Sequence, residues 1–281
     1  METIPCIVCG DASPRSRFTK NSGSGEPFRL VRCRRCGLEF LSPRPAPAEI
    51  GVYYSAGYFE KRTDRGYDDY FSPALEREVT RVLAMNLRDL GFFEYEASLP
   101  GPKLCLDIGC AAGYSVGFMQ GRGWESSGID IAGDCIDFGL SRGLNVRKGD
   151  YMETEYGKMF HLITMWATIE HLHRPDKILK KACADLHDGG LLYISTCRTG
   201  GINFKVFRGA GWRYYNFPEH LYFFSRSTMG RLLGENGFRI TMYSTYGSGF
   251  GRPGSAPRRT ADRLAKRFGW GDMMILAAVK G

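Results

Sequence analysis

The stretch Leu104-Cys-Leu-Asp-Ile-Gly-Cys-Ala-Ala-Gly113 decides the fold of this chain. An apolar run ends in an aspartate and passes into a glycine-containing turn, and a helical pattern follows. This order is typical of the first strand, turn and helix of an open α/β sheet, whose ligands bind beyond the carboxyl ends of the strands. A dinucleotide fingerprint needs glycine at positions 109, 111 and 114, whereas the chain has Gly109, Ala111 and Tyr114. NAD is therefore disfavoured.

Strand and helix patterns alternate on both sides of this turn. A helix is expected from Ser72-Pro73 onward, because a capping serine and a first-turn proline precede apolar residues at helical spacing. The expected strands are 103–108, 125–130, 144–147, 160–166, 190–196, 238–245 and 272–280. The expected helices are 113–122, 133–142, 175–186 and 227–236. The alternation predicts a Rossmann-like, seven-stranded, mostly parallel sheet that ends in a hairpin. The basic stretch 252–267 is expected to be a solvated connection.

Four cysteines near the N-terminus form two matched C-x-x-C-G units. Cys6 and Cys9 make the first unit, and Cys33 and Cys36 make the second. Cys9 and Cys33 are separated by 23 residues. This spacing predicts a small four-cysteine zinc ribbon. Four thiolates leave no open coordination position, so the zinc is expected to be structural. The Pro-rich stretch Ser42–Ala48 is expected to be a stiff linker that closes this module.

Acidic residues lie at or after the ends of the next two expected strands, at the same edge of the sheet as the first turn. Asp130 lies where a carboxylate meets ribose hydroxyls, and Asp150 lies where it can meet an adenine amino group, with Tyr151 beside the ring. Trp166 is expected to line the same site. The residues predicted to bind the cofactor are Asp107, Gly109, Cys110, Gly113, Asp130, Ile131, Asp150, Tyr151 and Trp166.

These motifs together resemble the class I S-adenosylmethionine (SAM)-dependent methyltransferases, in particular bacterial members with an N-terminal zinc ribbon. The resemblance rests on the ribbon, the Asp107–Gly113 loop, Asp130, Asp150 and the segment Ile169-Glu-His-Leu172. It implies SAM as methyl donor. The chain is then divided into a zinc-ribbon module with its linker (1–48), a helical and aromatic lid segment (49–98) and a SAM-binding methyltransferase domain (99–281).

Two Glu-His pairs are candidates for the base that an acceptor requires. Glu219-His220 resembles the active-site segment of zinc-ribbon sugar C-methyltransferases, which implies His220 as base and Glu219 as its orienting partner. A capping turn before the next helix is the alternative for this pair. Glu170-His171 resembles the magnesium-holding segment of some quinone O-methyltransferases, but Ala167 stands where those enzymes have a further glutamate. This pair is expected to shape the pocket, with His171 as a catalytic residue and Glu170 in contact with substrate.

Further residues are candidates for contact with the acceptor. Arg198 is expected to meet a phosphate or carboxylate, and Tyr215 belongs to the aromatic stretch 212–215. This stretch and the earlier tyrosines could form a lid and a platform, or could pack the ribbon against the main domain. The earlier tyrosines are Tyr53, Tyr54, Tyr58, Tyr67 and Tyr70.

Composition limits the remaining classes. Lys and Arg outnumber Asp and Glu 38 to 30, but the excess is spread along the chain and does not favour a nucleic-acid partner. The absence of a long apolar run or a secretion signal predicts a cytoplasmic protein. The expected partner is a small molecule, with nucleotide-linked or phosphorylated compounds among the candidates, and the oligomeric state is left open. An RNA or protein methyltransferase, and a zinc-bearing binding protein with a vestigial cofactor site, are the alternatives.

Overall fold

The computed structural model of the 281-residue chain describes residues 1–54, 69–157, 159–207, 209–250 and 256–281. The strands are β1 (Arg15–Asn21), β2 (Pro27–Arg32), β3 (Glu39–Leu41), β4 (Leu104–Ile108), β5 (Glu125–Asp130), β6 (Val146–Lys148), β7 (Phe160–Trp166), β8 (Leu186–Cys197), β9 (Tyr222–Phe223), β10 (Phe238–Tyr246) and β11 (Met273–Lys280). The α-helices are α1 (Pro73–Asp89), α2 (Phe92–Ser98), α3 (Tyr114–Gln120), α4 (Gly133–Ser141), α5 (Pro175–Asp185), α6 (Ile202–Val206), α7 (Arg226–Glu235) and α8 (Ala256–Arg267).

The large sheet has the strand order β10-β11-β8-β7-β4-β5-β6. The five strands from β6 to β8 run parallel, and β11 pairs antiparallel with both β8 and β10. The prediction of a seven-stranded, mostly parallel sheet closed by a hairpin is confirmed. Because β4 lies beside both β5 and β7, the loops after these three strands meet at one edge of the sheet.

Helix α1 closes over this edge. Its first turn is capped by Ser72, whose hydroxyl accepts from the Leu75 amide at 3.3 Å, and Pro73 supplies a first residue that needs no hydrogen-bond acceptor. The helix buries Leu83 and Leu87 against the sheet. The predicted helix after Ser72 is therefore present, with one face available to the space above the strands.

The N-terminal cysteine segment belongs to a second sheet, of order β1-β2-β3-β9. Its last strand comes from the C-terminal half of the chain, since Phe40 pairs with Tyr222. Arg44 is buried at this junction, where its guanidinium donates to the Tyr222 hydroxyl at 2.6 Å and to the His173 carbonyl at 3.0 Å. The stretch that we expected to be a stiff linker thus holds the two sheets together.

The basic stretch 252–267, which we expected to be a solvated connection, lies between β10 and β11 and contains helix α8, whose residues are mostly exposed. Helix α8 buries Ala265 and forms an ion pair between Lys266 and Asp89 of α1. Asp262 accepts from the Ser248 amide at 2.7 Å. Only one small residue of this helix, Ala265, is buried, which explains the weak apolar pattern of its sequence. The polar contacts of Lys266 and Asp262 also hold the helix in place. In the described part of the chain, every helix is too short or too polar to cross a membrane.

Candidate active site

A cavity of about 1270 Å³ lies over the carboxyl ends of β4, β5 and β7. Pockets for single small molecules usually measure about 300–1,000 Å³, so this cavity has room for two ligands side by side. Helix α1 covers it with Val79, Val82 and Asn86, and Tyr70 also lines it. Tyr58 and Tyr67, predicted as lid residues, lie outside the described residues, and Tyr53 instead donates to Glu26 at 2.6 Å.

Two loops that line the cavity contain residues with positive, left-handed φ angles. After β4, Gly109 has φ 73° and Ala111 has φ 45°; after β7, Ala167 has φ 51°. A Cβ on Gly109 would lie 2.3 Å from Thr168 Cγ2, so glycine is required where the two loops meet. Alanine in this conformation is strained, and such strain concentrates at functional sites. These loops therefore keep a particular backbone conformation at some cost in local stability.

Asp130, at the end of β5, holds the strained turn. Its Oδ2 accepts from the Ala111 amide at 2.8 Å, and its Oδ1 accepts from the Ala132 amide at 2.9 Å. Burial raises the pKa of this carboxyl, and the backbone amides of Ala132 and Ala111 oppose that rise. The carboxylate lines the cavity and has acceptor capacity beyond these two bonds. It can therefore order the turn and accept from a ligand at once.

Asp107 is the deepest acid of the cavity. The Thr164 hydroxyl donates to its Oδ1 at 2.6 Å, and the side chain is buried at the end of β4. Burial raises the pKa of Asp107 to about 7, although the bond from Thr164 acts in the opposite direction. The group is thus divided between its charged and neutral forms near neutral pH. A cation placed in the cavity would favour the charged form.

The other predicted cofactor residues occupy the same region. Ile131 and Asp150 line the cavity, and Asp150 Oδ1 accepts from the Met152 amide at 2.8 Å. Cys110 is buried beneath the loop against Gly128, where any added side chain would collide with its sulfur. Gly113, with φ 77°, begins α3 and is absent from the described cavity lining.

Two aromatic residues from that set are held by hydrogen bonds. Tyr151 lines the cavity with its hydroxyl turned to Asp185, to which it donates at 2.6 Å. Trp166 lines the cavity at the end of β7, and its indole N–H donates to the Ser115 hydroxyl at 3.1 Å. Both rings are therefore fixed in place before any ligand arrives.

A cluster of one carboxyl and two imidazoles lies at the cavity wall. Glu170, His171 and His220 each offer a ligand atom within 4.8 Å of the others, and the two rings meet edge to face with centroids 4.6 Å apart. His171 lines the cavity, whereas His220 is buried behind it. His171 Nδ1 lies 2.9 Å from the Glu219 carbonyl oxygen, and His220 Nδ1 lies 2.9 Å from the Tyr214 carbonyl oxygen.

Three other predicted site residues lie elsewhere among the residues that the structure describes. Arg198 donates to the carbonyls of Gly269 and Gly271 at 2.7 and 2.8 Å. Its guanidinium therefore holds the short segment that precedes β11. Tyr215 is buried against the N-terminal sheet and donates to Glu39. The Glu219 side chain is buried, and its backbone carbonyl is the group that meets His171. None of the three is in the described cavity lining.

Sequence reasoning missed several residues that shape the cavity. Tyr246, at the end of β10, lines it together with Ser195, and burial raises the pKa of Tyr246 to about 12. Tyr114 donates to the Tyr70 carbonyl at 2.7 Å and so ties α3 to the chain segment before α1. The only available signal was position, because Tyr246 ends β10 and Tyr114 begins α3 at the carboxyl edge of the sheet.

The four N-terminal cysteines converge as expected. Cys6 and Cys36 sulfurs are 3.4 Å apart, as are those of Cys9 and Cys33, and all four lie within 4.8 Å of one another. Sulfurs around a tetrahedral zinc ion with Zn–S of about 2.3 Å are about 3.8 Å apart, so this donor set fits Zn²⁺. The glycines after both units have φ of 71° and 82°, as a tight metal knuckle requires.

The sheet order, the loop after β4 and the acids at the strand ends define the class I methyltransferase fold. The family model for the methyltransferase domain matches residues 75–243, and the chain belongs to this family. The sequence-based prediction is thereby confirmed at the level of the family.

Curated relatives of this chain are about a quarter identical to it over the part that they match. A ubiquinone biosynthesis O-methyltransferase of Coxiella burnetii is 26% identical over 146 residues, which cover 50% of this chain and 60% of the relative. The enzyme of the same name from Glaesserella parasuis is 27% identical over 183 residues, covering 60% of this chain and 74% of the relative. The chain thus spans 60% of the length of the first of these relatives.

Solved structures show the same fold at lower identity. Magnesium protoporphyrin IX methyltransferase from Synechocystis PCC 6803 superposes with a TM-score of 0.54 at 17% identity, covering 82% of this chain and 97% of that one. The (4+2)-cyclase SpnF superposes with a TM-score of 0.55 at 17% identity, covering 85% and 98%. Since one of these proteins is named as a cyclase, the likeness establishes the fold and leaves the reaction to the site.

Proposed function

We propose that this chain is a SAM-dependent methyltransferase that acts on a small molecule with an ionisable hydroxyl group. The observation that carries the proposal is that Asp130, Asp150 and His171 line one and the same cavity. The two acids suit the hydroxyl and amino groups of a nucleoside, and the imidazole suits proton removal from an acceptor. We also propose that Cys6, Cys9, Cys33 and Cys36 hold a structural Zn²⁺.

The charge balance of the cavity fits a cationic donor. Among the residues that the structure describes, the lining contains five acids and three Lys or Arg side chains. The acids are Glu78, Asp107, Asp130, Asp134 and Asp150, and the bases are Lys148, Arg174 and Lys177. When bound, SAM supplies an electrophilic methyl group on a positively charged sulfur. The buried carboxyls at the ends of β4 and β5 favour that charge, and the rigid Trp166 and Tyr151 rings limit where a planar group can lie.

His171 is the better placed of the two histidines to act as base. A carbonyl oxygen can only accept, so the 2.9 Å contact with the Glu219 carbonyl fixes the proton of neutral His171 on Nδ1. The Nε2 atom of that tautomer could then take the proton of an acceptor hydroxyl, which would make its oxygen the nucleophile for the methyl group that bound SAM would supply. The buried Glu170 carboxyl beside the ring favours the imidazolium that results.

We assign His220 a positioning role behind His171. Its contact with the Tyr214 carbonyl fixes its own tautomer in the same way, and its ring packs edge-on against His171. The Glu219-His220 pair, first considered as base and partner, would thus act through His171. The carbonyl of Glu219 holds one ring, and the side chain of His220 supports it.

The choice of a small hydroxyl-bearing acceptor has two supports. The cavity exceeds the size of a single ligand pocket, which leaves space for a second molecule beside the donor. The curated relatives are named for O-methylation in ubiquinone biosynthesis. A sugar or another natural-product intermediate with an acidic hydroxyl or carbon meets the same requirements.

Calorimetric titration with SAM and with its demethylated product tests the proposal. We expect both to bind, and Asp130→Asn to weaken SAM binding by about tenfold or more, because a charged acceptor for the nucleoside is lost. Asp137→Asn is the matched control, since Asp137 is exposed on α4 outside the cavity lining. A screen of catechols, phenols and nucleotide-linked sugars for release of the demethylated product then identifies the acceptor. Absence of binding by both SAM and its product would refute the proposed activity.

A further inference from the structure

A second concave site lies on the cysteine module, away from the proposed active site. It is a groove of about 680 Å³ that is lined by five arginines, Cys33, Cys36 and Gly37. The arginines are Arg15, Arg17, Arg32, Arg34 and Arg35. Within the described part of the chain, neither an acidic nor an aromatic side chain is present in this lining, and none of its residues also lines the large cavity.

The hairpin and the second cysteine knuckle build this groove from separate parts of the sequence. Arg15 of β1 stands directly opposite Arg32 of β2, and Arg17 is the extra residue at the bulge between Ser16 and Phe18. Arg34 and Arg35 occupy the two positions between Cys33 and Cys36. Like charges directly opposite each other on paired strands are destabilising. The fold therefore holds together charges that repel one another in the absence of an anion.

Internal partners neutralise only part of this charge. Arg17 lies 3.5 Å from the buried Glu39, and Arg35 donates to the Cys9 carbonyl at 3.3 Å. In the described part of the chain, no ion pair or side-chain hydrogen bond is found for the guanidiniums of Arg15, Arg32 or Arg34. All three residues are exposed. Their planar donor groups are therefore available to a ligand from solvent.

The chemistry of the lining selects a phosphate-bearing ligand of small size. Guanidinium groups bind phosphate oxygens through paired N–H donors, which a lysine ammonium cannot reproduce. Proteins that bind single-stranded nucleic acid also offer aromatic platforms for the bases, and this lining has none. The volume lies within the range of small-molecule pockets. We propose that this groove binds the diphosphate group of a small molecule, such as a nucleoside diphosphate.

Titration of the full-length, zinc-loaded protein with inorganic pyrophosphate and with a nucleoside diphosphate tests this site. We expect Arg15→Gln combined with Arg34→Gln to weaken pyrophosphate binding by about tenfold or more, because two paired donors are lost. SAM binding by the same variant should stay within about twofold of the unmodified protein, so loss of this site is distinguishable from loss of the proposed active site.

Two further double variants make the test specific. Arg88→Gln with Arg239→Gln removes the same net charge from α1 and β10 and should leave pyrophosphate binding within about twofold. Arg15→Lys with Arg34→Lys keeps the charge but loses the planar donors, and we expect an intermediate loss. Zinc content is measured on every sample. Unchanged zinc content in the glutamine variant would separate a ligand site from a cluster that merely offsets thiolate charge.

Several results would overturn the proposal. These are absence of pyrophosphate binding, equal loss in the Arg88/Arg239 control, full retention in the lysine variant, and competition by sulfate as strong as by pyrophosphate. Loss of zinc from the glutamine variant would assign the arginines to the metal cluster instead. Tighter binding of a short RNA duplex, lost in the same variant, would replace the small molecule by a nucleic acid.

Discussion

The cysteine module and the large cavity are both built around groups that favour a bound cation, but they are built in opposite ways. Four thiols converge on one point and leave no position for a further ligand. In the cavity, the acids at the ends of β4 and β5 are spread over a space larger than one ligand, and the loops after β4 and β7 carry left-handed alanines. A closed site stabilises a fold, whereas an open and strained one can do chemistry.

Removing a cysteine ligand should give the largest change in stability. We expect Cys33→Ser to lower the free energy of unfolding by about 3 kcal/mol or more, because metal binding in such modules is coupled to folding. Zinc content and thermal unfolding measure the effect. Cys183→Ser is the control, since Cys183 lies on α5 and outside the cluster. Equal stability and zinc content in both variants would show that the cluster is an ordinary set of core thiols.

Loss of the cavity histidine should instead act on turnover. We expect His171→Ala to reduce kcat by about 10²–10⁴-fold, the usual contribution of a positioned base, with little change in SAM affinity. His220→Ala should have a smaller effect and shift the pH profile of kcat, because it acts through His171. His187→Gln is the control, on an exposed ring whose only described ring contact is a tilted one with His161, at 4.7 Å between centroids. A larger loss for His220→Ala than for His171→Ala would reverse the two roles.

Asp107 should make the ligand-free protein less stable as pH rises. Its pKa is about 7 in the fold against an ordinary 3.8, so the folded chain binds more protons than the unfolded chain between these values. Stability from this group therefore falls by about 2–4 kcal/mol from pH 4 to 7. Asp107→Asn keeps an acceptor for Thr164 and should flatten this slope in urea titrations at each pH. Asp130, whose pKa is also raised, retains its own contribution. An identical slope in both proteins would contradict the assignment.

The smallest expected effect concerns the strained turn itself. Ala111→Gly removes the steric penalty of a left-handed alanine, but it also adds freedom to the unfolded chain. We expect a net stabilisation of about 0.5 kcal/mol, measured by urea unfolding. Ala112→Gly is the control, because Ala112 is buried and has no positive φ, and it should destabilise. Destabilisation by both changes would mean that Ala111 contributes packing that outweighs its strain.

The sequence predicted what depends on local patterns. The order of strands and helices from β4 to β8, and the convergence of the four cysteines, follow from periodicity and spacing. It did not predict contacts between distant segments. Arg198 looked like a ligand-binding residue because it follows a central strand, but its guanidinium donates to the carbonyls of residues 269 and 271. Tyr215 looked like a platform residue for a ligand, but its hydroxyl donates a hydrogen bond to Glu39 of the N-terminal sheet.

The histidines show the same limit within the site. The resemblance of Glu219-His220 to a known active-site segment favoured that pair, whereas the structure has His171 in the cavity lining and the His220 ring packed against it. The strand β9 has two residues, so no periodic pattern could reveal its pairing with β3. Long-range partners decide these positions, and a single sequence carries no direct record of them.

The junction at Arg44 has a consequence for how the chain acquires its structure during synthesis. Arg44 and the Tyr222 hydroxyl that it binds are 178 residues apart. At translation rates of about 5–20 residues per second, the first residues wait about 10–35 s for their partner strand to emerge. Early zinc binding would hold the nascent N-terminal segment in a compact form over that interval, before the last strand of its sheet exists.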